Sequence, residues 1–220
     1  MQHTEEGLMA ARLQLTAPDK ASFTLIAMSH VAEQAFYNLV SKDLDAHDAV
    51  LCEGAPGRNL MAVFQRALAV KGRVAQCDAL PWTGQPHWYS ADMDPGVLTR
   101  RLLRALSWRM IPISLVLVLV LLVGRTRWFH SVADADEAND PEDRQPGDGI
   151  ENAIGVAAKR VLLDERDAIL AGYCASMMEG WAGCRIAVPW GAGHIPQLAH
   201  FLIEDFGYEI ADIRWQRIHA

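Results

Sequence analysis

The chain has 220 residues, 51% of them hydrophobic, and a net charge of −7 at neutral pH. That apolar share excludes global disorder, and the acidic balance leaves no nucleic-acid footprint, so nucleic acid is not an expected partner. The four cysteines, Cys52, Cys77, Cys174 and Cys184, form no C-x-x-C pair, which argues against a zinc knuckle or redox motif and fits a reducing, cytoplasmic setting.

The N-terminus, Met1-Gln2-His3-Thr4-Glu5-Glu6, has neither a basic start nor an apolar core, so no signal peptide is expected. Residues 22–29 read as a buried strand, and 31–42 as a helix opened by His30. Residues 48–53 form a second strand that ends in Glu53, followed by a Gly54-to-Gly57 loop. The spacing of Leu60, Val63, Phe64 and Leu68 predicts a helix over 59–70. A third strand follows at 73–77, then a loop over 81–96 rich in Pro, Gly and Trp. Residues 156–178 carry a helix, 185–190 a strand, 195–205 a helix and 208–215 a last strand. Strands alternating with helices predict an α/β fold, a mostly parallel sheet flanked by helices.

Two segments interrupt this pattern. Residues 110–124 carry no charge, with Arg100, Arg101, Arg104 and Arg109 before them and Arg125 and Arg127 after. The run falls short of the roughly 17–25 apolar residues of a spanning helix, and arginines at both ends give no one-sided bias. The region 96–130 is therefore expected to be a helical apolar insertion. Its two alternatives are contact with a membrane surface, making the protein membrane-associated, and burial in a homo-oligomer through residues 105–124. Residues 131–150 form an acidic linker, in which seven acidic residues between Asp134 and Asp148 face Arg144 alone. The first half of the α/β domain thus occupies 1–95 and the second half 151–220.

Two stretches match each other. Thr24-Leu25-Ile26-Ala27-Met28-Ser29-His30 and Val188-Pro189-Trp190-Gly191-Ala192-Gly193-His194 both run from an apolar strand through small residues to a histidine. Such positions, at the carboxyl ends of parallel strands, are where α/β proteins place their sites. Either histidine alone is most simply a helix cap or a satisfied core residue; the matched placement raises the case for a shared site. Gly191 and Gly193 remove side-chain bulk, so that backbone can approach a ligand. A single membrane span through 110–124 would put His30 and His194 on opposite sides of the bilayer. Glu53 ends an apolar strand, where it is either a surface glutamate or a ligand or general base. Glu165, Arg166 and Asp167 lie in the helix 156–178, either on a solvated face or with Glu165 toward the histidines and Arg166 clamping an anion. Asp92 and Asp94 are weaker candidates, and His47 has no comparable setting.

Together Ala27-Met28-Ser29-His30, Asp48-to-Gly54 around Glu53, Glu165-Arg166-Asp167 and Gly191-Ala192-Gly193-His194 resemble the TraB/PrgY/GumN family. That family is related to the Tiki metalloproteases and, more distantly, to erythromycin esterases and ChaN-like haem-uptake proteins. The resemblance covers roughly residues 20–95 and 155–215; Ala27 stands where the family usually has glycine. It implies a fold of two related halves and a divalent-metal-dependent hydrolase, peptidase-like, acting on a peptide or small molecule. His30, His194 and Glu53 would be metal ligands, with manganese or cobalt, or else zinc, as the metal. Glu165 would be a further ligand or base, and Arg166 would orient substrate. The alternative within the same fold is a non-catalytic regulator at the membrane, or a binder of a peptide or haem-like ligand.

Overall fold

A computed structural model describes residues 1–4, 7–54, 62, 65, 66, 68, 69, 72–80, 85–105 and 156–219. Most of the helix expected over 59–70, Trp82, the apolar run 110–124 and the acidic linker lie outside the described residues.

The elements follow in chain order. Strands β1 (Gln2–Thr4), β2 (Gly7–Thr16) and β3 (Ser22–Met28) lead to a short strand β4 (Val31–Glu33) and helix α1 (Gln34–Leu44). Next come β5 (Ala49–Cys52), β6 (Arg73–Ala75), α2 (Gln76–Ala79), β7 (Trp88–Ser90) and α3 (Pro95–Ala105). Helices α4 (Val156–Leu162) and α5 (Asp164–Met178), strand β8 (Arg185–Gly191), α6 (Ile195–Phe206) and β9 (Glu209–His219) complete the chain.

The fold is α/β. Its main sheet runs β1-β2-β3-β8-β5-β7, with β9 also paired to β2. Strands β3, β8, β5 and β7 are parallel neighbours, and β1, β2 and β9 add antiparallel pairs. The parallel strands are buried on both faces: Phe23, Leu25, Ile26, Ala49, Val50, Leu51, Ile186, Ala187 and Val188 are at most 1% exposed. This is why they read as continuous apolar runs.

Strand β2 was not expected, although Arg12-Leu13-Gln14-Leu15-Thr16 alternates as a half-buried strand should. Three further expectations are corrected. Residues 31–33 are extended, pairing antiparallel with Arg73–Ala75, so His30 joins two strands and opens no helix. The third strand belongs to this small ribbon, and the main sheet instead takes Trp88–Ser90 from the expected loop. The helix over 156–178 is two helices, separated at Leu163 (φ −112°, ψ −75°).

Pro189 shapes the sheet. A proline gives no N–H to a ladder and is rare in a central strand. Strand β8 pairs with β3 along its whole length but with β5 only at Ala49↔Ile186 and Val50↔Ala187. The two strands part just before Pro189. The Leu51 carbonyl beside the gap is satisfied by the indole Nε1–H of Trp190, at 3.1 Å. The divergence opens the carboxyl end of the sheet between β8 and β5.

Among the described residues no helix is long and apolar enough to cross a membrane. Strand β8, which follows the apolar run in sequence, lies between β3 and β5, which precede it. One sheet is thus built from both flanks of residues 106–155, and a single crossing within that segment is incompatible with it.

Replacing Trp190 by Phe keeps the ring and deletes the indole donor. A buried carbonyl left unpaired costs about 1–3 kcal/mol, so Trp190→Phe is expected to lower the unfolding free energy by that amount, seen as a lower urea midpoint. An unchanged midpoint would show that Leu51 does not depend on this bond.

Candidate functional site

Glu53 follows β5, Asp92 follows β7, Arg166 and Asp167 stand in the first turn of α5, and His194 caps α6 after β8. All five meet outside the carboxyl ends of the parallel strands, the usual location of an α/β site.

Arg166 is the centre of the group. Its Nε donates to Asp92 Oδ1 at 2.8 Å and its Nη2 to Asp92 Oδ2 and Glu53 Oε1, both at 2.7 Å. Its Nη1 faces the Leu162 carbonyl and His194 Nε2, each at 3.3 Å. All five N–H donors of the guanidinium thus have acceptors. The group also lies over the Trp190 ring, 5.2 Å from its centroid. Only 6% of Arg166 is exposed, so its charge depends on the two carboxylates for compensation.

His194 is held at both nitrogens. Nδ1 is 2.6 Å from Asp167 Oδ1 and Nε2 faces Arg166. Asp167 can only accept and Arg166 can only donate, so the neutral ring carries its proton on Nδ1 and a lone pair on Nε2. Trp190 packs edge-on against the imidazole, with centroids 5.1 Å apart. Glu53 Oε1 approaches His194 Nε2 to 3.8 Å, while Oε2 accepts the Gly191 N–H at 2.6 Å.

Burial by itself would raise the Glu53 pKa. The opposing charge of Arg166, then those of His30 and His194, and the hydrogen bond from Arg166 outweigh it and bring it down to about 2. Glu53 is therefore a carboxylate at neutral pH and has no proton to donate. Asp92 is fixed in turn, because Oδ2 accepts the Gly54 N–H at 2.8 Å and Oδ1 the Met93 N–H at 2.7 Å.

The structure separates the expected residues. Glu53, Arg166 and His194 come together. Glu165 turns away from them and pairs with Arg101, with Arg160 at 4.0 Å; Arg166, Leu170 and Cys174, at four-residue spacing, form the inward stripe of α5. Asp167 takes the place beside the histidine that the sequence offered to Glu165. His30 lies on the β3–β4 junction. Its Nδ1 is 3.1 Å from both Gln76 Oε1 and Gln65 Nε2, and its charge reaches Glu53. Gly191 turns its N–H to Glu53, and a Cβ there would stand 3.2 Å from Glu53 Oε2 and 3.5 Å from His194 Cδ2. At Gly193 a Cβ would meet only Leu163 Cδ2, at 3.9 Å, so close packing does not require glycine there. Asp94 caps α3 through the Gly96 and Val97 N–H groups. His47 is a core histidine, bonded to the Asp43 carbonyl and Thr24 Oγ1.

Two donors 3.8 Å apart could share an ion at the roughly 2 Å ligand distances of transition metals. Here the Arg166 guanidinium, bonded to both, holds that place. Among the described residues no three His, Cys, Asp or Glu side chains are arranged to hold an ion. As they stand, these residues fit a fixed guanidinium rather than a metal.

A cavity of about 510 Å³ opens beside Asp92, walled by Met93, Val97, Ala168 and Ile169 and rimmed by Arg101 and Glu165. Of the five clustered residues, it is Asp92 that lines it.

The chain matches no family model, no curated protein and no solved structure. The TraB/PrgY/GumN resemblance rests on its motifs alone.

Two measurements probe this geometry. The folded pKa of Glu53 lies below its ordinary value, so the stability it contributes is complete above about pH 4.5 and lost as pH falls toward about 2. That contribution is on the order of 3 kcal/mol. Acid denaturation of Glu53→Gln is expected to be shallower than wild type across that window, and parallel curves would contradict the assignment. Gly191→Ala forces a Cβ against a carboxylate that is already bonded on both oxygens. It is expected to lose about 1–2 kcal/mol in chemical denaturation, whereas Gly193→Ala is expected to be close to neutral.

Proposed function

We propose that the protein is a hydrolase in which His194 is the general base and the Arg166–Glu53–Asp92 cluster supplies a fixed electrostatic frame. One observation carries this reading: an Asp167–His194 pair, whose Nε2 lone pair meets Arg166 Nη1 at 3.3 Å, sits at the carboxyl ends of parallel strands. An imidazole whose Nδ1–H is held by a carboxylate has its tautomer and orientation set, as in other acid–base pairs. The Nη1 contact to Nε2 is the longest made by Arg166 to a side chain, and a water or substrate hydroxyl can replace it. His194 then takes the proton from that oxygen as it attacks an acyl carbon. The positive charge of Arg166, 3.3 Å away, favours the negative charge that develops on the carbonyl oxygen. Asp167 stabilises the imidazolium that results, and the imidazolium returns its proton to the leaving oxygen or nitrogen as the acyl–heteroatom bond breaks. Glu53 and Asp92 keep the guanidinium in place and are not proton donors.

The cavity beside Asp92 suits a peptide or ester with an apolar side chain, against Met93, Val97 and Ile169. The family resemblance points to the same reaction class and adds a divalent ion. One observation favours that second form: Glu53, Asp92 and Asp167 set three carboxylates against one guanidinium, leaving a negative balance that a cation would relieve. It requires Arg166 to withdraw. The idea of two related halves rests on the matched motifs Ala27-to-His30 and Gly191-to-His194 and on the family resemblance; their strands pair in parallel, one residue out of step with that match.

The test is turnover of a p-nitrophenyl ester and a fluorogenic peptide, with metal analysis of the purified protein. Turnover is expected to persist in EDTA and to fall by about 100-fold or more in His194→Ala, with a smaller loss in Asp167→Asn. Turnover abolished by EDTA and restored by manganese or cobalt supports the metal form instead. Absence of turnover on both probes, or turnover indifferent to His194→Ala, overturns the hydrolase reading and leaves a binding protein.

A further inference from the structure

The two helices that border residues 106–155 are both basic and free of acid. Over 11 residues α3 carries Arg100, Arg101 and Arg104, and over 7 residues α4 carries Lys159 and Arg160. This stands out in a chain of net charge −7. The two helices pack against each other, and Arg160 of α4 is exposed.

The faces of α3 divide. Val97, Leu98 and Leu102 are half-buried, and Arg101 pairs with Glu165. Thr99, Arg100, Leu103 and Arg104 form the outer stripe at the three- and four-residue spacing of a helix, all exposed. Leu103, at 56%, is among the most exposed large apolar side chains of the described residues. Among the described residues no carboxylate pairs with Arg100 or Arg104.

We propose that the outer face of α3, through Arg100, Leu103 and Arg104 with the α4 cations beside it, docks the protein on an anionic lipid surface. The combination of an exposed leucine with arginines on either side is what an interfacial helix uses. The apolar group enters the acyl boundary, and the long guanidinium side chains stay at the headgroups. Charge complementarity selects anionic lipid over neutral lipid, each basic residue near such a surface contributing about 1 kcal/mol. Position supports the same occupant. The chain departs from the C-terminal end of α3 into a sequence whose residues 110–124 carry no charge and are flanked by Arg109, Arg125 and Arg127. Both flanks of that segment build one sheet, so the arrangement is docking on one side of a bilayer rather than a span. The proposal stands independently of the hydrolase reading, because Arg100, Leu103 and Arg104 touch none of the residues around Arg166.

The test is co-sedimentation of the full chain with vesicles of phosphatidylcholine alone, or with about one third phosphatidylserine. Binding is expected with phosphatidylserine, weak without it, and weakened by salt. The double variant Arg100→Glu and Arg104→Glu is expected to lose about tenfold or more in partition while keeping the thermal midpoint of the wild type, and Leu103→Gln to lose less. Equal binding to both vesicle types would assign the membrane contact to the uncharged run alone and overturn the proposal. So would unchanged binding by the double variant, or no binding at all. Binding that appears only after the acids of 133–148 are neutralised would show that the chain's own acidic segment occupies the basic face. A stable dimer in place of vesicle binding, broken by the double variant, would assign the face to a second copy.

Discussion

The Arg166 guanidinium places a full positive charge in a part of the protein that is closed to water, and the surrounding architecture answers that cost. A buried cation is tolerable only when its charge is compensated and its donors are met. Asp92 supplies two acceptors, Glu53 one, the Leu162 carbonyl one and His194 one. These acceptors come from the segment after β7, the end of β5, the end of α4 and the start of α6. One side chain therefore fixes three segments remote in sequence relative to the adjoining end of α4. The same contacts hold Glu53 ionised and set a lone pair of His194 against the guanidinium. Electrostatic satisfaction and functional geometry are the same set of bonds.

The backbone makes room for this group through Pro189. Without an N–H to offer β5, β8 stays with β3 and leaves β5 after two residue pairs. The gap admits the Trp190 indole, which restores the bond owed to Leu51 and then presents its ring to both Arg166 and His194. Gly191 completes the turn by giving its N–H to Glu53. A proline that would weaken an ordinary central strand is here the reason that the crevice exists.

The core of this arrangement could be read from the amino-acid order because the parallel strands are buried on both faces. Ser22–Met28, Ala49–Cys52 and Arg185–Gly191 stand out as apolar runs that end in His30, Glu53 and His194 within a few residues. The inward residue of α5 was harder to assign. Arg166 and Asp167 share the stripe of Leu170, and spacing alone does not say which of three adjacent charged residues meets the histidine: Arg166 faces in, Asp167 reaches the ring and Glu165 faces Arg101. His30 misled for a related reason. Val31-Ala32-Glu33 can begin a helix or extend, and its pairing with Arg73–Ala75, distant in sequence, settles the matter. Asp92 was among the weaker candidates because its setting looked like loop, and its importance comes from Arg166, 74 residues away. The strand β2 left an alternating signature in Arg12–Thr16 that the apolar-run criterion passes over.

The central claim is that His194 is held between a carboxylate at Nδ1 and a guanidinium at Nε2, with the lone pair on Nε2. The ¹⁵N resonances of the His194 ring test this most directly. The account predicts that the neutral ring has a protonated Nδ1 and a bare Nε2, and that Asp167→Asn perturbs the Nδ1 signal. A proton on Nε2 in the neutral form, or an Nε2 shift showing coordination to a metal, would contradict it.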